Sequence, residues 1–315
     1  MDREQLTQDL PVGGQAVIEG VMMRVPGKIV TAVRAADHRI VVREEAYDPL
    51  AQRYRLLGLP VLRGALSFFE MMLIGLKALN FSADVASQKE GQVEQREEGW
   101  REQLALWATM VFSVGLGVGL FFFLPLLAAQ LFGLQENALE FNLVAGAVRA
   151  TLLILYLWAI SQWREIQRVF QYHGAEHKSI FTVEAGAELT VAAARGFGRL
   201  HPRCGTSFML IVVLFAILIF AVVDSLFPLV FGHTQSLLER FATHFAVLPF
   251  IAGTSFELLK FSGKKRNAPL VRLLSAPGLW LQRITTREPD DDQLEVALFA
   301  LRRALNEEVE ANPSC

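Results

Sequence analysis

Leu104–Gly133 reads LALWATMVFSVGLGVGLFFFLPLLAAQLFG, thirty consecutive positions without a charged side chain. A bilayer core about 30 Å thick takes roughly 20 mostly apolar residues as helix, so this stretch is long enough to cross it. Three further runs share its character. Phe141–Trp163 carries one charge, Arg149, and Phe208–Phe231 carries one, Asp224. Phe241–Phe261 carries His244, Glu257 and Lys260. Composition agrees: 52% of 315 residues are apolar and mean hydropathy is +0.34, against about 45–50% apolar in a soluble domain. The competing reading, buried helices of a soluble protein, has most force for the fourth run, which is shorter and more polar. The expected fold class is therefore mainly α: a polytopic membrane protein with four transmembrane helices. A net charge of -2, with no basic stripe interleaved with aromatics, excludes nucleic acid as a partner and leaves membrane lipids.

Loop charge gives the expected orientation, because Lys and Arg accumulate on the cytoplasmic side. Residues 1–103 hold 13 Lys and Arg, the loop 134–140 none, the loop 164–207 six, the loop 232–240 one, and the tail from Lys260 nine. That alternation places both termini in the cytoplasm. The first 15 residues are polar and acidic, so no cleavable signal peptide is expected. Two cysteines, Cys204 and Cys315, cannot build a disulfide framework and are expected to be thiols or ligands.

Outside the apolar runs, residues 1–55 form an expected β-containing cytoplasmic region. Val12–Met23 is apolar with glycines at 13, 14 and 20, while Ile29–Arg34 and Arg39–Glu44 read as two strands around the turn at 36–38. Residues 56–103 follow. Within them Leu56–Ala83 is apolar but for Arg63, Glu70 and Lys77, which share one helical stripe. It is expected to lie in the membrane interface or pack on the bundle, ahead of a charged linker at 87–102. Residues 104–261 are the four-helix membrane domain, with a cytoplasmic loop at 164–207. Residues 262–315 are a cytoplasmic helical tail, where Asp290, Asp291 and Asp292 are expected to cap a helix.

The loop 164–207 concentrates the chemistry. In Gln171–Lys178, QYHGAEHK, His173 and His177 are four apart, so a helix puts both imidazoles on one face, able to clamp one metal ion. Glu176 beside them can position or deprotonate a water, the H-x-x-E-H arrangement of inverted zinc metallopeptidases. His201-Pro-Arg-Cys204 supplies a second half-site. Imidazole and thiolate together suit zinc. Four ligands, His173, His177, His201 and Cys204, would close a structural tetrahedron; three and a water would leave a catalytic one, with Glu176 as general base. Spacing leaves both open, and a pair of surface histidines beside a small buried cysteine is the plainer alternative. Glu257 or Glu19 is the substitute ligand should Cys204 lie elsewhere. Within the bilayer, Arg149 and Asp224 fall at similar depth on consecutive antiparallel helices and are expected to pair.

These segments carry a resemblance. GGQAVIEGVMMR (Gly13–Arg24), RVFQYHGAEHK (Arg168–Lys178), LHPRCGTSF (Leu200–Phe208) and PGLWLQRITTREPDD (Pro277–Asp291) resemble the YqhQ-like family of bacterial membrane proteins, a family with a domain of unknown function. The resemblance runs from about Val12 to Leu301; Val25 stands where glycine is expected. It implies a multi-pass protein of the bacterial cytoplasmic membrane and the family's loose label of predicted metal-dependent enzyme, resting on the same His, Glu and Cys residues. Three functions stay open: a membrane organiser or scaffold whose cytoplasmic loop is held by a zinc-type site, a metal-dependent hydrolase using Glu176, and a small-solute transporter. Four spans are few for transport, an objection that a homo-oligomer weakens.

Overall fold

The computed structural model describes residues 12–54, 57–87, 100–202, 204–264 and 269–306. Cys315 and most of the charged linker expected at 87–102 lie outside them. The fold is mainly helical, with one small N-terminal sheet.

Where two strands were expected there are four: β1 (Gly13–Val17), β2 (Gly20–Val25), β3 (Gly27–Arg34) and β4 (Ile40–Tyr47), an antiparallel meander in chain order. Val12–Met23 thus contains a hairpin, closing at Ile18-Glu19 with Val17 opposite Gly20. Gly20 is obligatory there, since a Cβ would stand 2.2 Å from the Ala32 carbonyl oxygen. The next turn uses Pro26 and Gly27, the latter at φ 83°, a conformation glycine adopts without strain. The central strands β2 and β3 are covered on both faces, while the edge strands β1 and β4 keep exposed residues. Val21, Met23, Val25, Val30 and Ala32 face one core, while Val17, Met22, Ile29 and Val33 face another. Strands buried on both sides lose polar alternation and read as continuous apolar runs.

Helix α1 (Leu50–Arg53) is one turn long, and α2 (Leu62–Ser87) follows. The C-terminal half of α2 lays Ala78 and Val85 on the second core. Its N-terminal half packs against the fourth apolar helix, where Gly64 meets the Gly253 backbone and Arg63 forms a bidentate pair with Glu257 at 2.6 and 2.5 Å. The helix thus packs on the fourth apolar helix while Phe69, Met72, Leu73 and Leu76 stay exposed, and the contact commits Glu257 to a structural pair.

The first core is closed by helices from distant sequence. They are α6 (Arg164–Glu184), α7 (Val191–Arg195) and α11 (Asp291–Ala304). Tyr172, Ala175, Leu294, Ala297 and Leu301 pack together on β2 and β3. A capping box between Asp290 and Gln293 starts α11, as expected of the acidic cluster. The cytoplasm-expected N-terminal region and C-terminal tail are therefore one packed unit.

Among the described residues, four helices are long and apolar enough to cross a membrane: Trp107–Leu131, Ala138–Ile160, Ile211–Phe231 and Leu237–Leu258. The first comprises α3 (Trp100–Val118), a π turn at Gly119–Phe123, and α4 (Leu124–Leu131). The others are α5 (Ala138–Ile160), α8 (Gly205–Phe231) and α9 (Leu237–Lys264). Leu131 and Leu229 are each 80% exposed, a placement that suits hydrocarbon rather than water. Inside the bundle, Gly146 lets α5 approach Ile217 of α8, and Phe122, Phe220 and Ile251 form an aromatic-rich core. Helix α10 (Pro269–Thr285) leads from the membrane helices to α11.

The intramembrane pairing differs from expectation. Asp224 does not meet Arg149. Its carboxylate accepts from Asn142 Nδ2 at 2.7 Å, from His244 Nε2 at 2.8 Å, and faces Arg240 Nε at 3.2 Å. Arg149 instead donates to the Phe121 carbonyl at 3.0 Å in the π turn and lies over the rings of Phe122 and Phe220. The reason is Arg240: α9 starts at Leu237, so a residue assigned to the outer loop stands in the first turn of the fourth helix. Its guanidinium covers the Phe141 ring at 3.8 Å and reaches Asp224.

Candidate metal centre

Helix α6 is buried all round over Gly174–Ile180, a stretch that includes Glu176 and His177. Gly174 is where the chain between α10 and α11 crosses it. A Cβ there would stand 2.1 Å from the Arg287 carbonyl oxygen, and Arg287 N–H donates to the Phe170 carbonyl at 2.8 Å. That close crossing delivers the Thr285 carbonyl to His173. The segment following α7 delivers a second carbonyl, that of Arg199, to His177.

Both imidazoles are oriented by these backbone atoms. His173 Nδ1 lies 2.8 Å from Thr285 O and His177 Nδ1 lies 2.5 Å from Arg199 O. A carbonyl only accepts, so each Nδ1 carries a proton, and in the neutral ring Nε2 is then the nitrogen with the lone pair. His173 Nε2 is 3.1 Å from Cys204 Sγ. His177 Nε2 is buried, interacts with the same sulfur, and has no partner at hydrogen-bond distance among the described residues. Cys204 is itself buried and free, and it stands at the N-cap of α8 with the Thr206 N–H donating to its sulfur. One ligand atom from each of His173, His177 and Cys204 lies within 4.8 Å of the others.

The donor set fits zinc. Zn–N bonds of about 2.0–2.1 Å and Zn–S of about 2.3 Å place neighbouring N and S donors roughly 3.5 Å apart around a tetrahedron. Backbone carbonyls holding the remote ring nitrogens are the usual outer support of metal-binding histidines. Burial pushes the His177 imidazole below its ordinary pKa, which keeps it neutral and ligand-competent.

Glu176 is adjacent to the cluster without joining the three. Its Oε2 is 3.8 Å from His173 Nε2 and 3.7 Å from His177 Nε2. Burial raises its carboxyl above the usual range, opposed by His173, His201 and the Gly14 backbone N–H. Strand β1 supplies that N–H, and Gly14 leaves the space the carboxylate fills.

His201, the fourth expected ligand, stands outside the group. Gln282 clamps its backbone, donating to His201 O and accepting from His201 N, both at 2.8 Å. The ring packs on Phe181 at 4.4 Å and turns its Nε2 toward Glu184 at 3.5 Å. Glu19, a possible substitute, is paired with Arg168 at 2.5 Å on both oxygens. Arg199, Thr285 and Gly14 hold the site yet give no signal of it in sequence, although the last two fall inside segments that carry the family resemblance.

A family model described as "Protein of unknown function (DUF1385)" matches residues 59–307, a span that contains the whole cluster. "Uncharacterized protein YqhQ" of Bacillus subtilis (strain 168) is 33% identical over 303 residues, covering 93% of this chain and 92% of that protein. No solved structure matches. With the family model covering most of the chain and the relative nearly all of it, this protein belongs to the YqhQ-like, DUF1385 family.

Proposed function

We propose that the protein is a metal-dependent hydrolase of the bacterial cytoplasmic membrane, with His173, His177 and Cys204 holding zinc and Glu176 acting as general base. The observation that carries this reading is the convergence of two Nδ1-anchored histidines on one sulfur, with a buried carboxylate 3.7–3.8 Å away that is not itself in the ligand group. Zinc, when bound, supplies a Lewis acid. Glu176 Oε2 is placed to take a proton from a water entering between it and the histidines, and its raised pKa lets it return that proton to a leaving group. A scaffold with a closed structural tetrahedron needs a fourth ligand, and His201 is turned to Glu184. The alternation of loop charge supports a cytoplasmic position for the site and for both termini.

Metal analysis of the detergent-purified protein tests the assignment. Wild type and Glu176→Gln should each retain about one zinc per chain, while His177→Ala and Cys204→Ala should lose it. Loss of zinc from Glu176→Gln would make Glu176 a ligand and remove the base. Metal-free wild type purified without chelator would remove the centre.

A further inference from the structure

A cavity of about 530 Å³ opens beside the α5–α6 junction, lined by three arginines, Arg199, Arg283 and Arg287, together with Trp158 and Glu288. The one carboxylate among these is already engaged: Glu288 forms a close ion pair with Lys178 and lies 4.0 Å from Arg199. Two of the guanidinia are held from behind. Arg199 donates to the Thr286 carbonyl and hydroxyl, and Arg287 Nη2 donates to Ser161 O at 3.1 Å. Each has five N–H donors, so donors remain for a ligand. Arg283 sits exposed in the last turn of α10 and has no partner among the described residues. Three guanidinia converging on one concavity are suited to a planar-fork hold on a phosphate.

The apolar surroundings identify where that phosphate comes from. Trp158 stands in the last turn of the membrane helix α5 and is 57% exposed; Trp163 follows it, also exposed. Tryptophans at a helix end mark the headgroup level of a bilayer. Helix α10 exposes Leu273 and Trp280 on its way to Arg283, the habit of a helix lying in the interface. The cavity mouth is therefore at headgroup depth. From this we infer that the arginine cavity binds the phosphodiester of an anionic phospholipid, its acyl chains lying along the Trp158 side of α5. The inference rests on the four apolar helices crossing the bilayer, and it does not depend on the metal.

Native mass spectrometry of the full chain tests it, with equimolar phosphatidylglycerol and phosphatidylcholine of identical acyl chains as probes, and inorganic phosphate in a separate arm. Wild type should retain phosphatidylglycerol about tenfold over phosphatidylcholine. Arg283→Glu, at an exposed position that should leave folding and zinc content unchanged, should bring the two lipids to parity, and Arg283→Lys should restore most of the preference. Equal retention of both lipids by wild type, or an undiminished preference in Arg283→Glu, overturns the assignment. Inorganic phosphate binding as tightly as the anionic lipid would make the ligand a soluble phosphate and overturn the lipid assignment. Absence of zinc with the lipid preference intact would count against the metal centre alone.

Discussion

A Cβ placed on Gly14 would stand 2.7 Å from the Cγ of Glu176, so the second glycine of the N-terminal strand is what gives the buried carboxylate its place. The same Cβ would lie 2.8 Å from Glu176 Oε1 and 2.9 Å from the Met22 carbonyl oxygen. Gly14→Ala is therefore expected to push Glu176 off its position, with an overpacking cost of about 1–3 kcal/mol. In a Glu176→Ala background most of that loss should disappear, because the larger clash is gone. Thermal unfolding of the two single variants and the double variant measures it; strictly additive losses would mean Gly14 does not shape the Glu176 site.

Chelation should reveal the metal through stability. An ion bound to the folded chain and not to the unfolded one stabilises by about 4 kcal/mol at a thousandfold excess over its Kd. Removing zinc from wild type should lower the Tm, and adding it back should restore it. His177→Ala should start low and respond to neither treatment. Identical melting of wild type with and without chelator would mean no ion is bound.

Gln282 predicts a cost at a distance from the cluster. It satisfies both backbone groups of His201 in a buried setting. Gln282→Ala leaves the buried His201 N–H unpaired, at a cost of about 1–3 kcal/mol, while the His201 carbonyl keeps the Cys204 N–H at 3.3 Å. The expected result is a lowered Tm with zinc still bound, because neither His173 nor His177 is oriented by Gln282. Zinc loss in this variant would show that the His201 segment does hold the centre together.

How much of this was legible in sequence follows from what each feature depends on. The apolar helices were legible because hydrocarbon thickness imposes their length, whatever the packing. The histidine pair was legible because helical geometry alone puts positions 173 and 177 on one face. The β1–β2 hairpin was not, since burial of β2 on both faces erases the alternation that announces a strand, and β1 opens on two glycines, which are depleted in strands. The carbonyls of Arg199 and Thr285 could not be found either, because a backbone acceptor carries no side-chain identity. His201 was misplaced for a related reason: spacing from Cys204 says nothing about which way a ring turns once Gln282 has fixed its backbone. Arg240 was misplaced because the fourth apolar run was begun at Phe241, one residue too late to include it.

That last displacement changes which charges should be coupled. Asp224 and Arg240 are both buried and face each other at 3.2 Å, with His244 and Asn142 completing the carboxylate's partners. Removing one member of a buried pair strands the other, at a cost of about 3–5 kcal/mol, whereas removing both leaves no uncompensated charge. Asp224→Leu and Arg240→Leu should each destabilise strongly, and the double variant should lose less than their sum. Arg149→Leu combined with Asp224→Leu should be additive, because Arg149 is held by the Phe121 carbonyl and two aromatic rings. Thermal unfolding in detergent of the singles and both doubles decides the matter. Coupling of Asp224 to Arg149 with none to Arg240 would contradict the pairing, and would mean that α9 does not carry Arg240 inward in its first turn.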